Sequence, residues 1–136
     1  MDIRTRPLGN LLVLDIATSH TVGAALSDGE IAGFFEYHTS DITMEKLDAL
    51  MVELAEGTLD HKRILREGGH GAYVRKPLGL SSIEMIVATG PKRRLAEKSR
   101  MQITFGAPLG DNMMTGTVGV LEAIRRREKL PHVTYL

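Results

Sequence analysis

Leu11–His38 reads LLVLDIATSHTVGAALSDGEIAGFFEYH, and the punctuation of this stretch decides the fold. Leu11 to Ala17 is an apolar run broken only by Asp15, the pattern of a strand buried on both faces. Thr18-Ser19-His20 is a short polar turn. Thr21 to Leu26 is a second strand of small and apolar residues, Ser27-Asp28-Gly29 is a tight hairpin signal, and Glu30 to His38 is a third strand. Three strands joined by such short turns predict an antiparallel meander.

Working outward, Thr43 is placed to cap a helix whose Met44, Leu47, Leu50, Met51 and Leu54 share one face and which Gly57 ends. Asp60 to Glu67 predicts a second, shorter helix. Gly68-Gly69-His70-Gly71 and residues 75–82 read as loops. Glu84 to Thr89 is a fourth strand, Gly90-Pro91 opens a helix over residues 92–100, Gln102 to Phe105 is a fifth strand, and Asp111 caps a last helix to about Lys129. Gly116 and Gly119 in that helix predict close packing on the sheet or the approach of a ligand. The seven methionines read as core filler. Residues 1–10 form a polar tail before a single lobe over residues 11–136. The resulting plan is α/β: a mixed five-stranded sheet in the order βββαβαβα, with helices on its faces, which is the ribonuclease-H-like plan and that of one lobe of an actin-like ATPase.

Composition limits the function. The 136 residues suit one domain with a sizeable core, and 17 basic against 17 acidic residues leave no global field for nucleic acid or membrane. No apolar run is long enough to span a bilayer. Without cysteine, this chain offers no disulfide, thiolate-bound zinc, iron–sulfur cluster or cysteine nucleophile. A reducing, cytoplasmic setting is the expectation.

Helical crossovers make the fourth and fifth strands parallel to the first, so several strand tips share one edge, where ligands of open α/β sheets bind. That edge collects Asp15, Thr18, Ser19, His20 and Thr21. It also receives His38 and Thr39, then Thr89, Gly90, Lys92 and Arg93, and finally Asp111 and Asn112. Asp15 interrupts an apolar strand and needs a partner for its charge. It either contacts a metal ion through water or accepts bonds from the Thr18–Thr21 turn. That turn offers hydroxyls and N–H groups to a phosphate, or is ordinary turn chemistry. Lys92-Arg93-Arg94 at a helix start opposes the helix dipole, which an anionic ligand would offset. His20, His38 and His70 could lie together and would suit zinc or another transition metal, or be hydrogen-bonded loop histidines.

Leu12 to Thr39 resembles the second phosphate hairpin of actin-like ATPases, with Ala17 where a glycine is usual, and Ile86 to Arg94 resembles their adenosine segment. More closely, the DIATSHT turn, FFEYHT, EGGHGAYV at Glu67–Val74, VATGPKRR and Gly106–Ile124 resemble the C-terminal part of a prokaryotic family labelled pyruvate formate-lyase activating enzyme. The resemblance implies a two-lobe protein with a second phosphate hairpin in an N-terminal half. ATP or ADP with Mg²⁺ would be the cofactor, and an N-terminal lobe or a homo-oligomer the partner. It implies phosphate or nucleotide contacts at Thr18, Ser19, His20, Thr21, Thr89, Gly90 and Lys92, with Asp15 as the catalytic and metal-water residue. The label's own chemistry does not carry over, because a glycyl-radical activating enzyme needs three cysteines for its cluster. The expected function is therefore a nucleotide- or phosphate-binding half-domain, against a non-catalytic interaction or regulatory domain that keeps the fold. A metal-dependent nuclease is a third reading, for which the chain offers few carboxylates.

Overall fold

The apolar run becomes strand β1 (Asn10–Ile16), followed by β2 (His20–Ser27) and β3 (Glu30–His38), each antiparallel to the last. The computed structural model describes residues 9–107 and 112–134. Helix α1 (Met44–Glu56) starts where Thr43 accepts a hydrogen bond from the Lys46 N–H and ends at Gly57. Helix α2 (His61–Arg66) is capped by Asp60 through the Arg63 N–H. Strand β4 (Gly71–Val74) then pairs antiparallel with β3, β5 (Ile83–Thr89) runs parallel to β1, and β6 (Thr104–Phe105) runs parallel to β5. Helix α3 (Thr115–Arg127) follows a single 3-10 turn at Asn112–Met114.

Among the described residues the sheet is six-stranded and mixed, in the order β4-β3-β2-β1-β5-β6, rather than the five strands expected. The added strand, Gly71–Val74, begins at the last residue of the glycine loop and runs through residues to which the sequence assigns no element. Tyr73 and Val74 favour a strand, but the four-residue stretch, with Gly68, Gly69 and Gly71 just before or within it, is too short to be marked by alternation, and the open edge of β3 supplies the pairing that orders it. The α-helix expected over residues 92–100 is instead one 3-10 turn, Arg93–Ala96. Only Leu95 and Ala96 there turn toward the core, and Asp48 of α1 captures the Ser99 hydroxyl and the Arg100 N–H, which draws the chain out of helical register. Gly116 and Gly119 have nothing within 4 Å of where a Cβ would stand, so among the described residues neither mediates a close approach. Met51 is core, but Met113 is 69 % exposed and lies outside the core.

One face of the sheet is dry. Leu12, Leu14 and Ile16 from β1, Ala25 from β2 and Phe35 and Tyr37 from β3 lie in one core with Leu47, Leu50, Met51 and Leu54 of α1, all essentially without exposure. The other face leaves Val22, Phe34 and Tyr73 partly in solvent. Its edge is met by α3, where the Thr115 and Thr89 hydroxyls lie 2.8 Å apart. Among the described residues no helix is long and apolar enough to cross a membrane.

Tyr37 ties the layers together. Its hydroxyl donates to Glu67 at 2.8 Å, and Lys46 of α1 lies 4.1 Å over its ring and bridges the same carboxylate. Arg63 of α2 forms a two-pronged pair with Glu53 of α1. Burial, then the bond to Glu67, pushes the Tyr37 phenol well above its ordinary value, and the same bond holds Glu67 below the usual carboxylate range. With the folded-state phenol harder to ionise than the unfolded one, the stability it contributes is complete below about pH 10 and is lost as pH rises beyond that. Urea midpoints measured on either side of pH 10 should fall more steeply for the native chain than for Tyr37→Phe. Parallel profiles would show that Tyr37 carries no such linkage.

Candidate functional site

The tips of β1, β3 and β5 and the start of β2 share one edge of the sheet, as parallel strands and short hairpins dictate. The turn after β1 and the segment after β5 are in direct contact there. The Lys92 N–H donates to the Ile16 carbonyl at 2.9 Å, and a Cβ on Gly90 would lie 2.4 Å from that carbonyl oxygen and 2.8 Å from Asp15 Oδ1. Gly90, at φ +101°, is what permits the approach.

Beside this contact lies an open cleft of about 880 Å³, lined by Thr18, Thr39, Ser40 and the run Pro91–Leu95. Among the described residues Lys92, Arg93 and Arg94 form no ion pair, so three cations meet two threonine hydroxyls and a serine with their charge uncompensated by protein. No α-helix begins at Lys92, so the dipole argument made from sequence lapses; the unpaired cations remain. Ser40 was not anticipated, although its place directly after β3 puts it at the same edge. A smaller hollow of about 370 Å³ between Leu80, Ile83 and Met101, at the opposite end of β5, has no cation in its lining.

The expected site residues divide into distinct surroundings. Thr18 and Lys92 line the cleft. Thr21 is fully buried, its hydroxyl 2.9 Å from that of Thr39, which in turn donates to the Ala17 carbonyl; these bonds brace the turn and leave Thr21 without access to a ligand. Thr89 is 4 % exposed and occupied by Thr115. The Asn112 carbonyl accepts from Thr115, while its buried Oδ1 has no hydrogen-bond partner among the described residues. Asp111 lies outside the described residues.

Asp15, His20 and His38 do not line the cleft. Residues paired across strands share a face. Asp15 pairs with Val22 and Thr89, Val22 with Glu36, and His20 with His38, so all of these belong to the face opposite Ile16, Thr21 and Tyr37. Burial pushes the Asp15 carboxyl above the usual carboxylate range, and among the described residues it has no hydrogen-bond or ion-pair partner. The alternative of a structural carboxylate bonded by the Thr18–Thr21 turn therefore does not hold.

On that face three imidazoles meet. The rings of His20, His38 and His70 lie 4.6 to 4.9 Å apart, centre to centre, and His38 Nε2 is 3.0 Å from His70 Nε2. Ser19 Oγ holds His20 Nδ1 at 2.9 Å. His70 arrives from the added strand: its N–H donates to the Glu36 carbonyl, and Gly71 follows at φ +122°.

The hairpin, the EGGHGAYV loop and the ATGPKRR segment that build this edge all fall within residues 1–95, which match the family model described as "Putative pyruvate format-lyase activating enzyme", a domain of unknown function. The chain belongs to this family. The match includes the polar start that was read as a tail and stops before Gly106–Ile124, which the sequence resemblance also drew upon. No curated protein matches the chain. The family's description names an activating enzyme, yet these 136 residues contain no cysteine to bind an iron–sulfur cluster.

Proposed function

We propose that this family member is a nucleotide- or phosphate-binding half-domain of the actin-like type, working with Mg²⁺ and closed by a second lobe or a second copy. The observation that carries the reading is the cleft at the carboxyl edge of the sheet, with Lys92, Arg93 and Arg94 unpaired beside the hydroxyls of Thr18, Thr39 and Ser40. An anion there gains charge-assisted hydrogen bonds from three cations that have no ion-pair partner among the described residues. The strand pattern adds support, since a meander followed by parallel strands is the plan of ribonuclease-H-like and actin-like lobes. Asp15, desolvated beside Gly90 at the same edge though on the opposite face of the sheet, is the carboxylate that would hold a magnesium ion through water. The cleft is open to solvent on one side, which suits a site completed by a partner.

Calorimetry with Mg–ATP, Mg–ADP and inorganic phosphate tests the proposal. Lys92→Ala should weaken phosphate binding about 10- to 100-fold, the worth of one hydrogen bond to a charged group. Asp15→Asn should remove the magnesium-dependent part of the affinity while making the fold more stable at neutral pH. The sign follows from the raised folded-state value: ionised Asp15 costs stability once pH exceeds its unfolded value, and asparagine has no charge to desolvate. No heat with any of the three ligands, or affinities unchanged in both variants, removes the reading.

One observation favours a non-catalytic interaction domain instead. Val120, Leu121 and Ile124 on α3 and Phe34 and Tyr73 on the open sheet face are all more than 40 % exposed. Under that reading the chain binds no phosphate ligand, so the same titrations separate the two.

A further inference from the structure

The histidine cluster is built from three separate parts of the chain and stands apart from the phosphate cleft. His20 opens β2 and His38 closes β3, and the antiparallel register sets them directly opposite each other. His70 is brought in by the pairing of β4 onto β3, an edge contact independent of the other two. Their ligand atoms all lie within 4.8 Å of one another, and His20 and His38 are half-buried while His70 is exposed.

Three features distinguish this from histidines that merely touch. The first is spacing. Zinc–nitrogen bonds of about 2.0–2.1 Å in a tetrahedral site set ligand nitrogens about 3.3 Å apart. The 3.0 Å between His38 Nε2 and His70 Nε2 is already close to that, and small ring rotations bring in His20. The second is orientation. Ser19 Oγ engages His20 Nδ1, which leaves Nε2 as the nitrogen available to a metal, the arrangement that outer groups impose on metal-binding imidazoles. The third is charge. No carboxylate belongs to the group, so three protonated rings would repel at this distance, whereas three neutral ones can share a cation.

We propose that His20, His38 and His70 form a zinc site with three imidazole ligands and an open fourth position. An all-nitrogen ligand set selects zinc and its transition-metal neighbours over Mg²⁺ and Ca²⁺, which take oxygen. The open position faces solvent beside exposed His70 and would be filled by water or by an anionic ligand atom. The proposal does not depend on the nucleotide reading, because none of the three histidines lines the cleft.

The test uses the tag-free full chain, stripped with a chelator and with no nucleotide present. Cobalt(II) added to it should bind once per chain and give the intense visible bands of tetrahedral coordination, which zinc should bleach. Zinc binding by calorimetry should be micromolar or tighter. His20→Ala and His38→Gln should each weaken it about 100-fold or more, at least the loss seen when groups supporting a ligand are removed. His132→Ala, a histidine outside the cluster, should leave it unchanged. Circular dichroism on each variant confirms that the fold survives, and His38→Gln retains a polar side chain of similar reach should His20→Ala unfold. Zinc affinity no tighter than millimolar, octahedral cobalt spectra, or zinc binding that persists in folded His38→Gln overturns the proposal. Phosphate affinity in the Lys92 variant is measured separately, so either reading can fail alone.

Discussion

Phe35→Ala is expected to lower the stability of the chain by about 3–5 kcal/mol, a large share of the roughly 5–15 kcal/mol that holds a domain folded. Phe35 has no exposure, and its ring crosses the sheet over Gly23, its partner in β2, toward Leu14 of β1. A Cβ on residue 23 would lie 2.4 Å from the Phe35 ring and 3.1 Å from Leu14, so the glycine is the space the ring fills. Tyr37 meets it edge to face at 6.3 Å. Removing the ring leaves a void in a wall of strands whose backbone hydrogen bonds prevent collapse. Urea unfolding gives the value. The same geometry predicts coupling. Gly23→Ala alone should cost about 1–3 kcal/mol through overpacking, yet much less when Phe35 is already alanine, because the clashing ring is gone. Strict additivity of the two changes would show that the ring does not occupy that space.

Gly90→Ala is expected to cost about 3 kcal/mol or more and to abolish binding in the cleft. Two penalties act together. The left-handed φ of +101° costs a side-chain-bearing residue about 1–3 kcal/mol. The new methyl group would also stand 2.4 Å from the Ile16 carbonyl oxygen and 2.6 Å from its carbon. Those are backbone atoms of a central strand and cannot rotate away. The chain would have to part there, breaking the Lys92 N–H bond to Ile16 and moving the Pro91–Leu95 wall of the cleft. Gly79 provides the control. It has a similar φ of +87° with nothing within 4 Å of a Cβ, so Gly79→Ala should show the conformational cost without the clash. Equal melting temperatures for the two variants would mean that the close approach at Gly90 has no energetic consequence.

Much of this architecture is legible in the residues. The alternation of apolar runs with Thr-Ser-His and Ser-Asp-Gly turns specifies the meander, because strands and tight turns are encoded by neighbours in the chain. Thr43, Gly57 and the apolar face between them specify α1 for the same reason. The shared edge of Asp15, Thr18 and Lys92 also follows, since short hairpins and a crossover leave little choice of direction. The apparent helix at 92–100 shows the limit: KRRLAEKSR has helix-forming residues, but Asp48, about fifty positions away, takes the Ser99 and Arg100 groups that a helix would have used.

What the sequence determined on its own is the set of local elements, the edge at which the strand tips collect and the absence of thiol chemistry in these residues. What only the tertiary structure decided is which of the collected residues become neighbours. The pleat sends Asp15 and His20 to one face and Thr21 to the other, and a short segment after the Gly68-Gly69 turn pairs with β3 and carries His70 to His38. A contact between residues 32 apart in the chain depends on sheet order and register, which arise from the whole core packing at once and leave no trace in the spacing of the residues themselves.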